Sequence, residues 1–528
     1  MSAPRAGAET AANDRAHDAS AATAAAENSG SQQRELARGG ALSFVGSATS
    51  AALGFVLTIV ISRLFGAAHA GIIFQATGAF SVVLAFAKFG LDSTSNYLLP
   101  RVKIDDARQV RPVVYGFLII AVAVSLVLVV ALEIAAPLLW TDNPEVARSV
   151  RVIALFIPFG SVFLILAAIL RALGSVRDYV MVANIGLPVL RPPFIAVVAV
   201  AGGAAVAASA AWALPMALMA VAAAVLVLRR LRRIEEVHGA SERALPRASQ
   251  VREVFGFAVP RTLSAGLEQA IVWFDVLLAG WLLSDHAAGI YAGASRFVQA
   301  GLLVDAALRV VVSPQLSALL HRGEMSRTRE LYLTATMWLV LIGTPAYVFL
   351  GFFAPIFLGL LGPEFREGGT ALAVLAAGVA VTFLAGNIHS LLVMSGRSGW
   401  AAFNKLVVLA VNVGANFVLM PRYGIIGAAV AWSASMVLDA LMAAVEVKVF
   451  LGIALTAREI LAPVAVVLGT LGLASGVAVW LGGQSLWALL GALAVGGAAY
   501  IAVCWRWRAL LRLGALGELV AAKQGKRS

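Results

Sequence analysis

Apolar runs of about 20 residues, the length that crosses a bilayer as a helix, follow one another from residue 41 to residue 505. That feature removes most folds. Hydrocarbon offers no water to backbone amides, so each run must be a helix or part of a closed barrel. Continuous apolar runs, rather than alternating ones, select the helix. The pattern predicts fourteen spans, with cores near 41–62, 70–93, 113–137, 151–170, 179–200, 205–228, 254–281, 287–311, 331–355, 370–394, 401–420, 425–447, 460–481 and 485–505. The fifth is interrupted by Arg191-Pro192-Pro193, and the sixth follows after few polar residues. The expected fold is an all-α polytopic membrane protein.

Charge then sets orientation. The net charge is +12, but only 13% of residues are charged, about half the share in a soluble domain. With the N-terminus inside, 29 of the 40 Lys and Arg fall on inside segments. Five fall outside: Arg63, Arg148, Arg151, Arg366 and Arg422. Lys and Arg gather on cytoplasmic loops, so both termini are expected in the cytoplasm. The basic balance reads as topology and attraction to anionic lipid headgroups, not nucleic-acid binding. The single cysteine, Cys504, excludes internal disulfides and a cysteine metal cluster.

The expected organisation has six parts. Residues 1–38 lack an apolar run and are expected to form a disordered cytoplasmic tail rather than a signal peptide. Residues 39–228 carry spans 1–6, 229–252 a basic cytoplasmic loop, and 253–450 spans 7–12. Residues 451–508 carry spans 13–14, and 509–528 a basic tail. The two six-span halves open alike, with LFGAAHAGIIFQATGAF at 64–80 and LLSDHAAGIYAGASRFV at 282–298. Both place Ala-Gly-Ile, 70–72 and 288–290, at the same hairpin. Equal orientation of two six-helix halves implies parallel repeats.

Several stretches resemble one family. ARGGALSFVGSATSAALGFVLTIVISRLFGAAHAGIIFQA resembles the opening of polysaccharide-exporter and O-antigen-type flippases, from the superfamily that also holds lipid II flippases and multidrug/toxin extruders. KFGLDSTSNYLLPR, FFAPIFLGLLGPEFREGGTALAVLAAG and SGRSGWAAFNKLVVLAVNVGANFVLMPRYGIIGAAVAW extend the likeness over roughly residues 35–450. The resemblance implies two pseudo-symmetric lobes around a central cavity, plus two C-terminal helices similar to the lipid-groove pair of lipid II flippases. It also implies alternating access and translocation of polyprenyl-diphosphate-linked glycan across the bacterial inner membrane. A polysaccharide polymerase and glycosyltransferases would then be its working partners, beside the bilayer itself.

Charges inside spans are costly and mark function or pairing. Arg261, Glu268 and Asp275 on span 7 are seven residues apart, which keeps them on one helix stripe with a drift of about 20° per step. The stripe is expected to face the cavity, with Arg261 drawing in the diphosphate and Glu268 carrying a coupling proton. Arg261 could instead snorkel to headgroups. Arg191 and Arg296 are the other expected anion ligands, because guanidinium grips phosphate bidentately. Lys88–Asp92 and Asp305–Arg309 are i,i+4 pairs. Matching Phe80 to Phe297 offers an alternative, with Lys88 meeting Asp305 and Asp92 meeting Arg309 across the lobes. Asn412 and Asn416 are expected to hydrogen-bond between helices. Of the histidines only His389 is expected at depth, with a packing role.

No catalytic residue, metal site or cofactor is expected. There is no GxxxxGK[ST] phosphate loop, no D-x-D and no H-E-x-x-H. Without direct nucleotide coupling, an ion gradient or the membrane potential would supply the energy, at about 2.3 kcal/mol per charge per 100 mV. Two other readings stay open: a multidrug/toxin cation antiporter, and a membrane glycosyltransferase or O-antigen ligase. The second normally needs a large outside loop, and every outside loop here is short.

Overall fold

The computed structural model describes residues 6–512 apart from residue 242, with side-chain surroundings from residue 40 onwards except at 41 and 457. Helix α1 (Ala6–Ala87) is kinked at Gly66 and leads to α2 (Leu91–Asp105), α3 (Val110–Leu139), α4 (Pro144–Ala154) and α5 (Ile157–Ala172). After α6 (Val176–Tyr179) comes a π-turn at Val180–Gly186, then α7 (Leu187–Val200) and α8 (Ala205–His238). The second half holds α9 (Ala248–Leu282), α10 (Asp285–Gly301), α11 (Leu303–His321), α12 (Met325–Phe352) and α13 (Ala354–Leu358). It continues with α14 (Gly369–Thr382), α15 (Ile388–Met394) and α16 (Ser398–Leu451), and closes with α17 (Ala457–Val467), α18 (Leu473–Gly482) and α19 (Leu486–Arg506). The described residues contain no strand.

The α1 backbone is helical from Ala6, and its many alanines have the highest helix propensity. Residues 513–528 of the expected C-terminal tail lie outside the described residues. The exact count of fourteen spans is not reproduced. Among the described residues eleven helices are long and apolar enough to cross a membrane, or twelve if the bent pair α4 and α5 is one span. Two of the eleven, Leu42–Asp105 and Ser398–Leu451, each absorb two expected segments, because helical hydrogen bonding resumes at once beyond Gly66 and Gly424. Gly424 nevertheless reverses the chain. A Cβ on Gly427 would lie 2.9 Å from the Met420 nitrogen, whereas a straight helix separates seven residues by about 10 Å. Only glycine readily adopts the φ of 59° found at Gly424.

The protein is a multi-pass membrane protein of two helical lobes. Helices α1–α8 pack mainly on one another, as do α9–α16, while α17–α19 gather against α12. The lobes meet where α1 crosses α9 and α10, and where α2 meets α9. The end carrying the Arg-rich loop 229–252 is called the basic end, and the opposite one the far end.

The far-end seam contains the repeated Ala-Gly-Ile. A Cβ on Gly71 would lie 2.9 Å from the Gly289 nitrogen, and one on Gly289 would lie 3.0 Å from the Gly71 nitrogen. Small residues let helix backbones approach this closely. Asp285 accepts hydrogen bonds from two amides of the other lobe, Gln75 Nε2 and Asn143 Nδ2, each at 2.7 Å. Arg63 donates to the carbonyls of Leu360 (2.8 Å) and Gly359 (3.0 Å), and the Ala67 amide donates to Glu364 (3.0 Å). At the basic end Gly90, in the break between α1 and α2, lies against Ala258 of α9. Tyr97 stacks on Phe257 with centroids 4.7 Å apart, and Phe89 meets Phe255 edge-on at 5.5 Å.

Candidate functional site

Two cavities lie along α9 and the α10–α11 junction. The first, about 630 Å³, is lined by Thr58, Thr77, Lys88, Arg191, Trp212, Gln269, Trp273, Arg296 and Gln299, among others. Its two arginines share one arrangement. The Arg191 guanidinium sits 3.7 Å from the Trp212 ring centroid, and Nε donates to the Trp212 carbonyl at 3.2 Å. That of Arg296 sits 4.3 Å from the Trp273 ring, and Nη1 donates to Gln299 Oε1 at 2.9 Å. Each indole face steadies its cation without neutralising it. Neither arginine forms an ion pair among the described residues. Lys88, the third cation, is held by Asp92 at 2.8 Å.

Arg191 does not turn back to carbonyls of its own broken helix. The irregularity of this span falls earlier, in the π-turn at 180–186, and α7 runs on through Pro192 and Pro193. That leaves the side chain free to reach the neighbouring α8.

The second cavity, about 500 Å³, is lined by Arg261, Ser264, Glu268, Asp305, Arg309, Asn387, His389, Lys405, Trp432 and Asp439, among others. Its charges cancel locally. Arg261 lies 3.6 Å from Glu268, Arg309 pairs with Asp305, and Lys405 pairs with Asp439. His389 Nε2 lies 3.2 Å from the same Asp439 oxygen.

The span-7 stripe therefore divides. Arg261 and Glu268 line the second cavity, half-exposed, at 40% and 57% of their side chains. Asp275 lines neither cavity. It is 2% exposed, accepting from the Tyr291 hydroxyl at 3.0 Å and from Asn416 Nδ2 at 2.7 Å. Two heptad steps of drift, about 40°, carry it round α9 to the face packed on α16. Asn416 thus makes the interhelical hydrogen bond expected of it. Arg261, expected beside the diphosphate, is instead occupied by Glu268 and by Ser93 Oγ at 3.1 Å.

The inter-lobe pairs Lys88–Asp305 and Asp92–Arg309 are not formed. Each charge is satisfied one turn away on its own chain segment, where the i,i+4 geometry needs no lobe movement. The Gly71–Gly289 contact also fixes the repeat offset at 218, one more than the Phe80–Phe297 match, so Lys88 corresponds to Ala306. His389, expected to pack, is hydrogen-bonded to a carboxylate. The roles of Trp212, Trp273, Asn387 and Asp285 were not foreseen. Only Asn387 had a local signal, the helix-breaking Gly386-Asn387 inside an apolar run.

The fold matches known structures at low identity. A lipid II flippase MurJ in an inward closed conformation aligns with TM-score 0.71 and 14% identity, over 88% of this chain and 99% of that one. An inward-facing multidrug resistance MATE family transporter of the MOP superfamily aligns with TM-score 0.61 and 15% identity, over 75% and 94%. A MOP superfamily transporter from Pyrococcus furiosus, titled as having a binding pocket of reversed polarity, gives TM-score 0.55 and 14% identity, over 78% and 94%. A search of curated proteins finds no match. Residues 36–320 match the family described as polysaccharide biosynthesis protein. A transporter fold of the MurJ and MATE kind, carrying a family match over more than half its length, places this chain in the polysaccharide biosynthesis protein family.

Proposed function

We propose that the protein is a flippase that moves polyprenyl-diphosphate-linked glycan across the bacterial inner membrane by alternating access, with both termini in the cytoplasm. The observation that carries this reading is the first cavity. It holds Arg191 and Arg296, each stacked on tryptophan and neither neutralised by a carboxylate. Two unpaired cations at membrane depth are costly unless an anion joins them, and a diphosphate supplies two anionic groups of the geometry guanidinium prefers. The same cations disfavour a multidrug antiporter for cationic compounds. The polyprenyl tail stays in lipid while the headgroup crosses.

The test is transport of fluorescent undecaprenyl-diphosphate glycan in proteoliposomes at matched protein levels. Arg191→Gln with Arg296→Gln should lower flux at least tenfold, while Arg191→Lys retains more than Arg191→Gln. Unchanged flux in the double variant would sink the reading. Orientation is tested separately. Reporter fusions near Arg151 and Arg366 should read periplasmic, and those near Arg233 and Arg327 cytoplasmic. A cytoplasmic signal at Arg366 would overturn the placement of the termini.

A further inference from the structure

The second cavity poses a different problem from the first. Its cations and carboxylates are already paired within its own wall, so a charged ligand would have to break a pair to gain one. Yet the wall contains polar atoms with no partner. Asn387 is 3% exposed, and neither its Oδ1 nor its Nδ2 is hydrogen-bonded. Asp439, also 3% exposed, uses Oδ2 for Lys405 and His389 and leaves Oδ1 bare. Leaving buried polar groups unmade costs about 1–3 kcal/mol each, so such atoms call for an occupant.

Asn387 also declines the bond its position offers. It is the N-cap of α15 but makes no cap hydrogen bond, although asparagine is among the best capping residues. Gly386, at φ 56°, holds the break that puts Asn387 there. Two residues of the lining thus hold, just behind the cavity surface, one unpaired donor, Asn387 Nδ2, and two unpaired acceptors, Asn387 Oδ1 and Asp439 Oδ1. Ser264, Ser390 and Trp432 lie beside them. A mixed set of donors and acceptors with no free charge, next to an aromatic ring, suits a neutral polyhydroxylated ligand.

The place fits as well. Arg296 in the first cavity and Asp305 in the second are nine residues apart along α10–α11, about 13 Å of helix. On both walls neighbouring residues divide between the cavities, Gln269 and Ala300 in the first and Glu268 and Leu302 in the second, so the second cavity adjoins a diphosphate held at Arg296. We infer that the charge-balanced cavity is the sugar subsite of the headgroup, binding an uncharged hexose or N-acetylhexosamine through Asn387 and Asp439. The inference rests on the flippase reading, in which the diphosphate occupies the arginine cavity.

The experiment measures binding of three lipids to the full-length protein in detergent: undecaprenyl diphosphate, and the same lipid carrying one glucose or one N-acetylglucosamine. Wild type should bind at least one glycosylated lipid about tenfold more tightly than the bare lipid. Asn387→Leu should abolish that gain and leave affinity for the bare lipid unchanged. Because it removes unpaired buried atoms, Asn387→Leu should also leave the thermal midpoint of the empty protein unchanged or raised. The inference is overturned if neither sugar improves wild-type binding, if Asn387→Leu retains the gain, if it weakens all three lipids equally, or if it lowers the midpoint of the empty protein. Arg191→Gln with Arg296→Gln separates the two readings. It should weaken every lipid, including the bare one, and its failure to do so refutes the diphosphate site without reference to Asn387.

Discussion

At the far end two glycines, one from each lobe, meet reciprocally, whereas at the basic end a single glycine, Gly90, lies against the Ala258 backbone and aromatic pairs flank it. Gly71 and Gly289 touch reciprocally at the far end, fastened by Asp285 and by Arg63 on two carbonyls. The basic end has Gly90 against Ala258, two aromatic pairs and the Arg261–Ser93 hydrogen bond. A backbone contact has little tolerance, since one added methyl group forces the helices apart. An aromatic stack slides and re-forms. On the alternating-access cycle proposed above, the difference leads us to expect the basic end to separate at lower cost than the far end.

Four substitutions would break or sharpen that contrast. Gly289→Leu should have the largest effect. The Gly71–Gly289 contact predicts that Ala70→Cys and Ala288→Cys crosslink in a Cys504→Ala background, and Gly289→Leu should abolish that crosslink and lower flux more than a hundredfold. Persistence of the crosslink would mean the backbone contact does not close this end. Asp285→Ala comes next, removing two charge-assisted hydrogen bonds, about 3 kcal/mol or about 150-fold in equilibrium. Thiol labelling at Ala70→Cys should rise by that order. Tyr97→Ala removes one stack, about 1 kcal/mol, and should raise labelling at Ser93→Cys about fivefold while leaving Ala70→Cys unchanged. Arg261→Ala should do least. Its exposed pair with Glu268 is worth under about 1 kcal/mol, so flux should change by less than about fivefold. If Tyr97→Ala proves as damaging as Asp285→Ala, the two ends are equally stiff and the contrast fails.

Much of this fold was legible because hydrophobic length is local. Each apolar run announces a helix, and the Ala-Gly-Ile repeat named the residues that meet at the seam. The span count is not settled by length and composition, because helical hydrogen bonding runs on through the bends at Gly66 and Gly424. The site was legible only by residue type. Arg191 and Arg296 stand out as charges in apolar runs, but nothing near them in sequence points to Trp212 or Trp273, which lie 21 residues after and 23 residues before their respective partners. Spacing along one helix misled at Asp275, where drift carried the carboxylate out of the stripe. Reading the repeat from Phe80 and Phe297 misplaced the cross-lobe partners by one residue, which turns a helix by about 100°.

The reciprocal glycine contact also has a mechanical meaning. It brings the α1 and α10 backbones together over one turn, Ala67 to Gly71 against Asp285 to Gly289, and so serves as a fulcrum. From Gly71 to the helix end at Ala87 the chain runs sixteen residues, a lever about 24 Å long. A tilt of about 10° about that contact displaces the lever's end by about 4 Å. On the proposed cycle a shift of that size, close to the 4.7 Å separating the Tyr97 and Phe257 rings, is enough to slide the opposite end's stack out of register.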